Sequence, residues 1–314
     1  MKIRNMLSGE YLEADFDNGF LHIAKLHYSG EFCHSENGRF ILSWSDADPE
    51  GLCDGYREKG HGRYLLIDRD NIILQGKLER PNDGKVSDQG IFVINDWMFG
   101  EGLKGTFYAF DTIGKKIIQH KVTANLDKPG ISTDGRYAVC QTYYSDTEDG
   151  NKIFFFDLVR KELVWKCEPK TGRPDDYYFD IENKILHLLY KTGGDYQYSF
   201  DGEFLDSEKW EQEYQKTSNG YELFNIAVEK KQHLEPGNAD SPSYDEIISL
   251  MKKALDRGVS EYYQALIHRE LGEIYQRQGR IYEAIHHFEK AISLNPKIGL
   301  KKAVKSLKEE LSRR

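Results

Sequence analysis

A mainly β amino-terminal region followed by a short α-helical array is the fold class predicted by this sequence of 314 residues, and three observations predict it. Short aromatic and β-branched runs, separated by Asn-Gly, Asp-Gly and Gly-Asn pairs, fill the chain up to residue 235, the pattern of many antiparallel strands joined by tight turns. A run ending in an apolar residue and Asp recurs at Asp17, Asp68, Asp111, Asp157 and Asp201, at intervals of 51, 43, 46 and 44 residues, so the strands come in repeats. After a stretch rich in Pro, Gly, Asn and Ser, the apolar residues change to helical spacing.

Taken in order, each repeat has an aromatic strand (EADFD, YLLID, FYAFD, IFFFD, QYSFD), a short polar turn and another strand. Most are preceded by a second anchor, a tight turn feeding a strand: Asn37-Gly38-Arg39-Phe40, Gln89-Gly90-Ile91-Phe92, Asp134-Gly135-Arg136-Tyr137 and Asn183-Lys184-Ile185. The segment Ser132 to Cys140, STDGRYAVC, resembles the turn and strand of WD-type and related bacterial propellers. The aromatic-Asp strand end resembles their Trp-Asp position without the Trp. This resemblance implies a β-propeller of about five blades over residues 1–235. The first repeat lacks two leading strands, and the last, from Asn219-Gly220-Tyr221, lacks two trailing ones. Strands at 10–27 and 212–231 are therefore expected to complete one blade and remove the exposed sheet edges.

Residues 236–243 read as a linker and 244–314 as a helical domain. Within it, Leu271, Gly272, Tyr275, Ala284, Phe288, Ala291 and Pro296 take the positions at which small and large residues pack two antiparallel helices, with Ala265 as the first position. Gly279-Arg280 makes the turn, and Pro296 stops the second helix. This unit, 265–298, resembles the tetratricopeptide family. The resemblance implies that Gly272 and Ala284 face each other and that Leu266, Arg269, Glu273, Gln276 and Arg277 line a concave face. Tyr244 to Arg257 resembles the second helix of a truncated preceding unit through Ile247, Met251 and Ala254, with no recognisable first helix. Gly299 to Arg314 places Leu300, Ala303, Val304, Leu307 and Leu311 on one side, as an end-capping helix requires. About four helices are expected.

Composition narrows the function classes. Charged residues make up 30% of the chain, mean hydropathy is −0.67, and no apolar run approaches the ~20 residues of a spanning helix, which excludes a helical membrane protein. The amino terminus MKIRNMLSGEYLEADFD lacks the apolar stretch of a signal peptide. Cys33, Cys53, Cys140 and Cys167 occur singly, without zinc-ligand spacing or a disulfide framework, so a reduced, cytoplasmic protein is expected. A net charge of −9 argues against nucleic acid as the partner and is compatible with a basic protein or peptide.

Two acidic loops, Ser45 to Gly51 and Ser145 to Asn151, carry alternating oxygens that suit a hard cation, yet neither has the twelve-residue calcium loop with its terminal Glu. They read as solvated turns, and Asp46, Asp48, Asp146 and Glu148 stand as a second candidate surface for a partner. An enzyme of the propeller glycosidase kind needs two carboxylates about 5 to 9.5 Å apart at the axis. Asp88, Asp134, Asp175, Asp176 and Glu182 lie near the expected inner strands, and nothing in the sequence separates them from turn residues. The ten histidines are scattered, and His286-His287, adjacent on a helix, point in different directions. No phosphate loop, Gly-x-Ser-x-Gly, His-Glu-x-x-His or dinucleotide fingerprint occurs. The reading is an adaptor that binds protein without catalytic residues, metal or cofactor. A toxin-neutralising inhibitor and a propeller glycoside hydrolase are the alternatives, and oligomeric state is left open.

Overall fold

The strand repeats take shape around a turn that the sequence writes as Ser-x-Asn/Asp-Gly. Ser35 Oγ donates to Asn37 Oδ1 and accepts from Phe40 N, both at 2.9 Å, and Ser132 Oγ does the same with Asp134 Oδ1 at 2.6 Å and Tyr137 N at 2.9 Å. Gly38 and Gly135 sit at φ of +69° and +71°, a conformation glycine adopts without a side-chain penalty. The computed structural model describes residues 1–46, 60–192, 194–234 and 242–312. The chain divides into two compact units, Met1–Ser207 and Glu208–Arg314.

In the first unit, four antiparallel meanders follow one another: β5 (Tyr28–His34), β6 (Phe40–Ser45), β7 (Gly62–Asp68) and β8 (Asn71–Leu78); β9 (Pro81–Val86), β10 (Phe92–Asp96), β11 (Gly105–Phe110) and β12 (Lys116–Val122); β13 (Leu126–Ile131), β14 (Tyr137–Thr142), β15 (Ile153–Asp157) and β16 (Glu162–Cys167); and β17 (Asp176–Asp180), β18 (Ile185–Leu189) and β19 (Asp195–Ser199). A bridge between Tyr198 and Phe204 stands where the last meander's fourth strand would run. The leading strands β5, β9, β13 and β17 pack in sequence, which is the blade arrangement of a propeller. Sheets buried on both faces explain the continuous apolar runs. Phe154 and Phe156 pack with Val93, Phe107 and Ala138, while Phe155 between them packs with Phe179, Leu186 and Tyr198.

Before these come β1 (Lys2–Asn5), β2 (Tyr11–Glu13), β3 (Asp15–Asp17) and β4 (Phe20–Ile23). They join the first meander in one sheet ordered β2-β1-β8-β7-β6-β5-β4-β3, with β1 parallel to β8. Its two edge strands run on into each other through Ala14, whose N–H and C=O both bond Met1, so the sheet almost returns on itself. Inside it lie Ile3, Leu12, Leu21, Ile23, Tyr28, Ile41, Leu65, Ile67 and Ile72, all buried. The amino-terminal strands therefore complete the first blade's sheet and not the last one's.

The expectation of strands at 212–231 fails, and with it the fifth blade. These residues form two helices, α1 (Ser207–Thr217) and α2 (Gly220–Gln232). The Asn219-Gly220 pair, which reads as a hairpin turn, starts a helix. Asn219 accepts from Tyr221 N and Glu222 N, and Glu222 answers at Asn219 N at 2.8 Å, a full capping box. After them come α3 (Tyr244–Asp256), capped by Ser243, α4 (Glu261–Arg277), α5 (Ile281–Leu294) and α6 (Lys301–Leu311). The described array thus has six helices where four were expected, and α2 supplies the first helix that the truncated unit lacked. Of the expected linker, residues 236–241 lie outside the described residues.

One apolar core runs through α2 to α6, from Leu223 and Ala227 through Met251, Ala254, Leu271 and Phe288 to Val304 and Leu307. The α4/α5 turn closes as expected, with Gly279 at φ +73° and Arg280 N bonded to Tyr275 O at 2.9 Å. At the tightest point the partner differs from expectation. A Cβ on Gly272 would run into the ring of Phe288, not against Ala284.

Candidate functional site

The α4 positions expected to line a concave face fall into two groups. Gln276 and Arg277 are exposed and Leu266 is partly buried against the core, as a surface for a partner requires. Arg269 and Glu273 are tied into a cluster that reaches α2. Lys231 Nζ contacts the carboxylates of Glu270 and Glu273, the latter at 2.7 Å, while Arg269 Nε reaches Glu273 at 3.2 Å and its Nη2 reaches Glu270 at 3.5 Å. Lys231 is 12% exposed and Glu270 14%, so these pairs are shielded enough to matter. Burial raises Glu273, but its hydrogen bond and charge interaction with Lys231, then Arg269, outweigh it and leave the carboxyl below its usual range. Lys231 was missed because α2 was read as strand, and Glu270, on the correctly read α4, because it is not among the positions that the family resemblance makes concave.

About two to three turns away from this cluster, the amino-terminal ends of α2 and α4 carry aromatics. Tyr263 meets Tyr221 edge-on at 4.8 Å and Phe224 at 5.9 Å, and Tyr262 packs on Tyr263 at 5.5 Å. Tyr221 is 40% exposed and Tyr262 60%. Exposed tyrosine held by packing against other rings is the kind of residue enriched in interface hot spots.

The described residues of the acidic loops are tied to neighbouring segments. Asp46 pairs with Arg80 at 3.1 Å, both largely buried. Asp48 lies outside the described residues. In the second loop, Asp146 accepts from Tyr144 Oη, and Glu148, 85% exposed, lies 3.8 Å from Lys166. Asp149 secures that loop by accepting from Thr123 N at 2.9 Å and Thr123 Oγ1 at 3.0 Å.

Among the carboxylates considered for catalysis, Asp134 caps its own turn, accepting from Arg136 N at 3.0 Å. Asp88 links successive blades, accepting from Asn37 N at 2.9 Å while its own N–H donates to Thr133 O. Asp175 accepts from Lys191 N, and Asp176 meets Lys85 of β9 at 3.4 Å. The leading strands also carry acids that the sequence reading passed over. Asp83 lies 4.0 Å from Lys128, and Asp127 lies 3.8 Å from Arg173 and accepts from Gln141 Nε2 at 3.2 Å. Burial pushes Asp83 up to about 6 against the opposing pull of Lys128. These acids alternate with cations along neighbouring strands, as a cross-strand ion network does.

The histidines gave one surprise. His268 of α4 and His287 of α5 approach Nδ1 to Nδ1 at 2.9 Å, with Tyr275 stacked on His287 at 5.3 Å. No adjacency in sequence announces this pair.

Comparison with known proteins agrees with the helical reading: residues 265–298 match the tetratricopeptide repeat family. No curated protein matches the chain. Among solved structures, the chain is similar to the computationally designed Ika8 protein (10% identity, 62% of this chain and 63% of that one, TM-score 0.36). It is also similar to the Dos1 propeller (13% identity, 65% and 57%, TM-score 0.41) and the designed Ika4 protein (10% identity, 54% and 88%, TM-score 0.36). The aligned region spans less than two thirds of the length of the first two. The blade assignment rests on strand order and packing. Among the described residues, no helix is long and apolar enough to cross a membrane.

Proposed function

We propose that this protein is a non-enzymatic adaptor that binds a protein or peptide on the concave face of its helical unit, acting in the cytoplasm without metal or cofactor. The observation that carries the reading is a complete tetratricopeptide hairpin whose first helix leaves Gln276 and Arg277 exposed at its carboxy-terminal end and Tyr262 exposed at its amino-terminal end, with Leu266 only partly buried between them. Stacked helical repeats of this kind offer a groove in place of a pocket. Capture of a terminal carboxylate is disfavoured because Arg269 is already held by Glu270 and Glu273. The aromatic rim favours a partner with apolar anchors, and the paired acids and cations of the blades favour a structural role for those carboxylates.

The test is capture with the full chain, comparing wild type with the double variant Gln276→Ala/Arg277→Glu. Arg269 is left alone because a glutamate there would stand beside two others. A protein retained by the wild type and reduced about tenfold by the variant, equivalent to ~1.4 kcal/mol, supports the reading. An unchanged set of retained proteins, or hydrolysis of a glycan by the chain, contradicts it.

A second reading draws on charge. Residues 208–314 hold 18 Lys and Arg against 17 Asp and Glu, so the negative charge resides in residues 1–207, with 25 Lys and Arg against 35 Asp and Glu. That distribution favours an inhibitor that neutralises a basic protein through its blades. Binding by that route weakens steeply with salt, whereas an apolar groove contact does not.

A further inference from the structure

We propose that His268 and His287 form an acid-sensitive latch across the α4/α5 hairpin, closed while the two rings share no more than one excess proton and opened by a second. The geometry carries this. The 2.9 Å contact joins the two Nδ1 atoms, and the ring centroids are 5.1 Å apart with planes 30° from parallel. Adding the short distance from each nitrogen to its ring centre to the contact already accounts for that separation, so the rings meet edge to edge along the nitrogen line. One Nδ1 must then donate and the other accept. A neutral pair satisfies this, and so does a pair with one extra proton, since an imidazolium donates to a neutral ring. With both rings charged, two donors face each other and the bond is lost.

The surroundings sharpen the effect. Tyr275 from α4 covers one face of His287. From α5, His286 and Lys290 add positive charge, and Lys252 of α3 adds more; Glu283 opposes them but is bonded to Arg280 at 2.8 Å. Burial, followed by His268, His286 and Lys252, pushes His287 down to about 4, and burial with Lys290 and His286 lowers His268. Both rings are half-buried between the two helices of the one complete repeat. Loosening them also disturbs Arg269 and Glu273 on the same helix.

The sign follows from linkage. A histidine whose folded value lies below its unfolded value of about 6.5 binds protons more readily when unfolded. The latch contribution is present above that value and is lost as pH falls through it towards about 4.

The test is an NMR titration of the histidine side-chain nitrogens in the intact chain, which requires no variant. Two coupled steps are expected for His268 and His287, the second below the range of the other histidines. In His268→Gln, the His287 midpoint should rise by about one pK unit or more, because the neighbouring charge is gone. Amide exchange corrected for intrinsic pH dependence should accelerate in α4 and α5 between pH 7 and 4, and less so in α2. Independent titration of both rings at the ordinary value, with His287 unmoved by His268→Gln, overturns the latch.

Discussion

Arg39 forks onto Asp68, its Nε and Nη2 donating to the two carboxylate oxygens at 2.9 and 2.8 Å, and so ties the turn before β6 to the end of β7. The hydrogen bond holds Asp68 below the usual carboxylate range. Arg136 and Asp157 repeat the pairing at 3.6 Å one blade pair later. In the turn before β10 the arginine position is Ile91, and Asp111 instead caps its own turn, accepting from Ile113 N and Lys115 N at 3.1 and 2.8 Å. In the first three meanders the recurring strand-end Asp is thus a fastening, made with the donors each has.

Asp157 is the fastening whose loss should cost most. It is fully buried and accepts from Val159 N at 2.9 Å and Arg160 N at 3.0 Å. Asp157→Ala strands both amides and should destabilise the chain by about 1 to 3 kcal/mol, read as a lower urea midpoint. Asp68→Ala, at a more exposed site, should cost less; a larger loss at Asp68 would contradict the assignment.

Gly272 permits the closest approach in the helical unit. Gly272→Leu should cost roughly 1 to 3 kcal/mol or more by overpacking against Phe288. Because the clash is with that ring, Phe288→Leu in the same chain should recover part of the loss, and a double-mutant cycle measures the coupling. Additive effects would place the clash elsewhere.

These two sites also mark what the sequence discloses. The tetratricopeptide unit was legible because its packing is local: Gly272, Tyr275, Ala284 and Phe288 lie within two adjacent helices. The blade turns were legible for the same reason. The course of β1 to β4 was not, since a parallel pairing of β1 with β8 across some seventy residues leaves no local trace. Helix α2 was misread although Asn219 and Glu222 display a capping box, because Asn-Gly is also the strongest hairpin signal. That error hid Lys231, one of the two cations of the ion cluster on α2 and α4.

Removing residues 1–27 should abolish cooperative folding of the first unit and not merely trim it. The deletion uncovers Tyr28, Ile41, Leu65, Ile67 and Ile72 and leaves β5 and β8 as open edges. Loss of soluble yield or of a cooperative melt is the expected readout. A truncated chain that melts like wild type would show that these strands are dispensable.

Asp83 makes stability depend on pH in a defined sense. Its carboxyl is raised from 3.8 to about 6 by burial, so the folded chain binds that proton more tightly than the unfolded one. The associated stability is present below about 4 and is lost as pH rises through 6. Asp83→Asn removes this term. Its stability relative to wild type should therefore improve between pH 4 and 7, by on the order of 1 to 3 kcal/mol. A flat difference across that range would mean that Lys128 offsets the burial.

The central claim, that the concave helical face binds the partner, is tested most directly by hydrogen exchange of the full chain with and without the protein it captures. Slower exchange in peptides from α2 and α4, covering Tyr221, Tyr262, Leu266, Gln276 and Arg277, is the predicted result. Protection confined to the blades, with α2 and α4 unchanged, would contradict it.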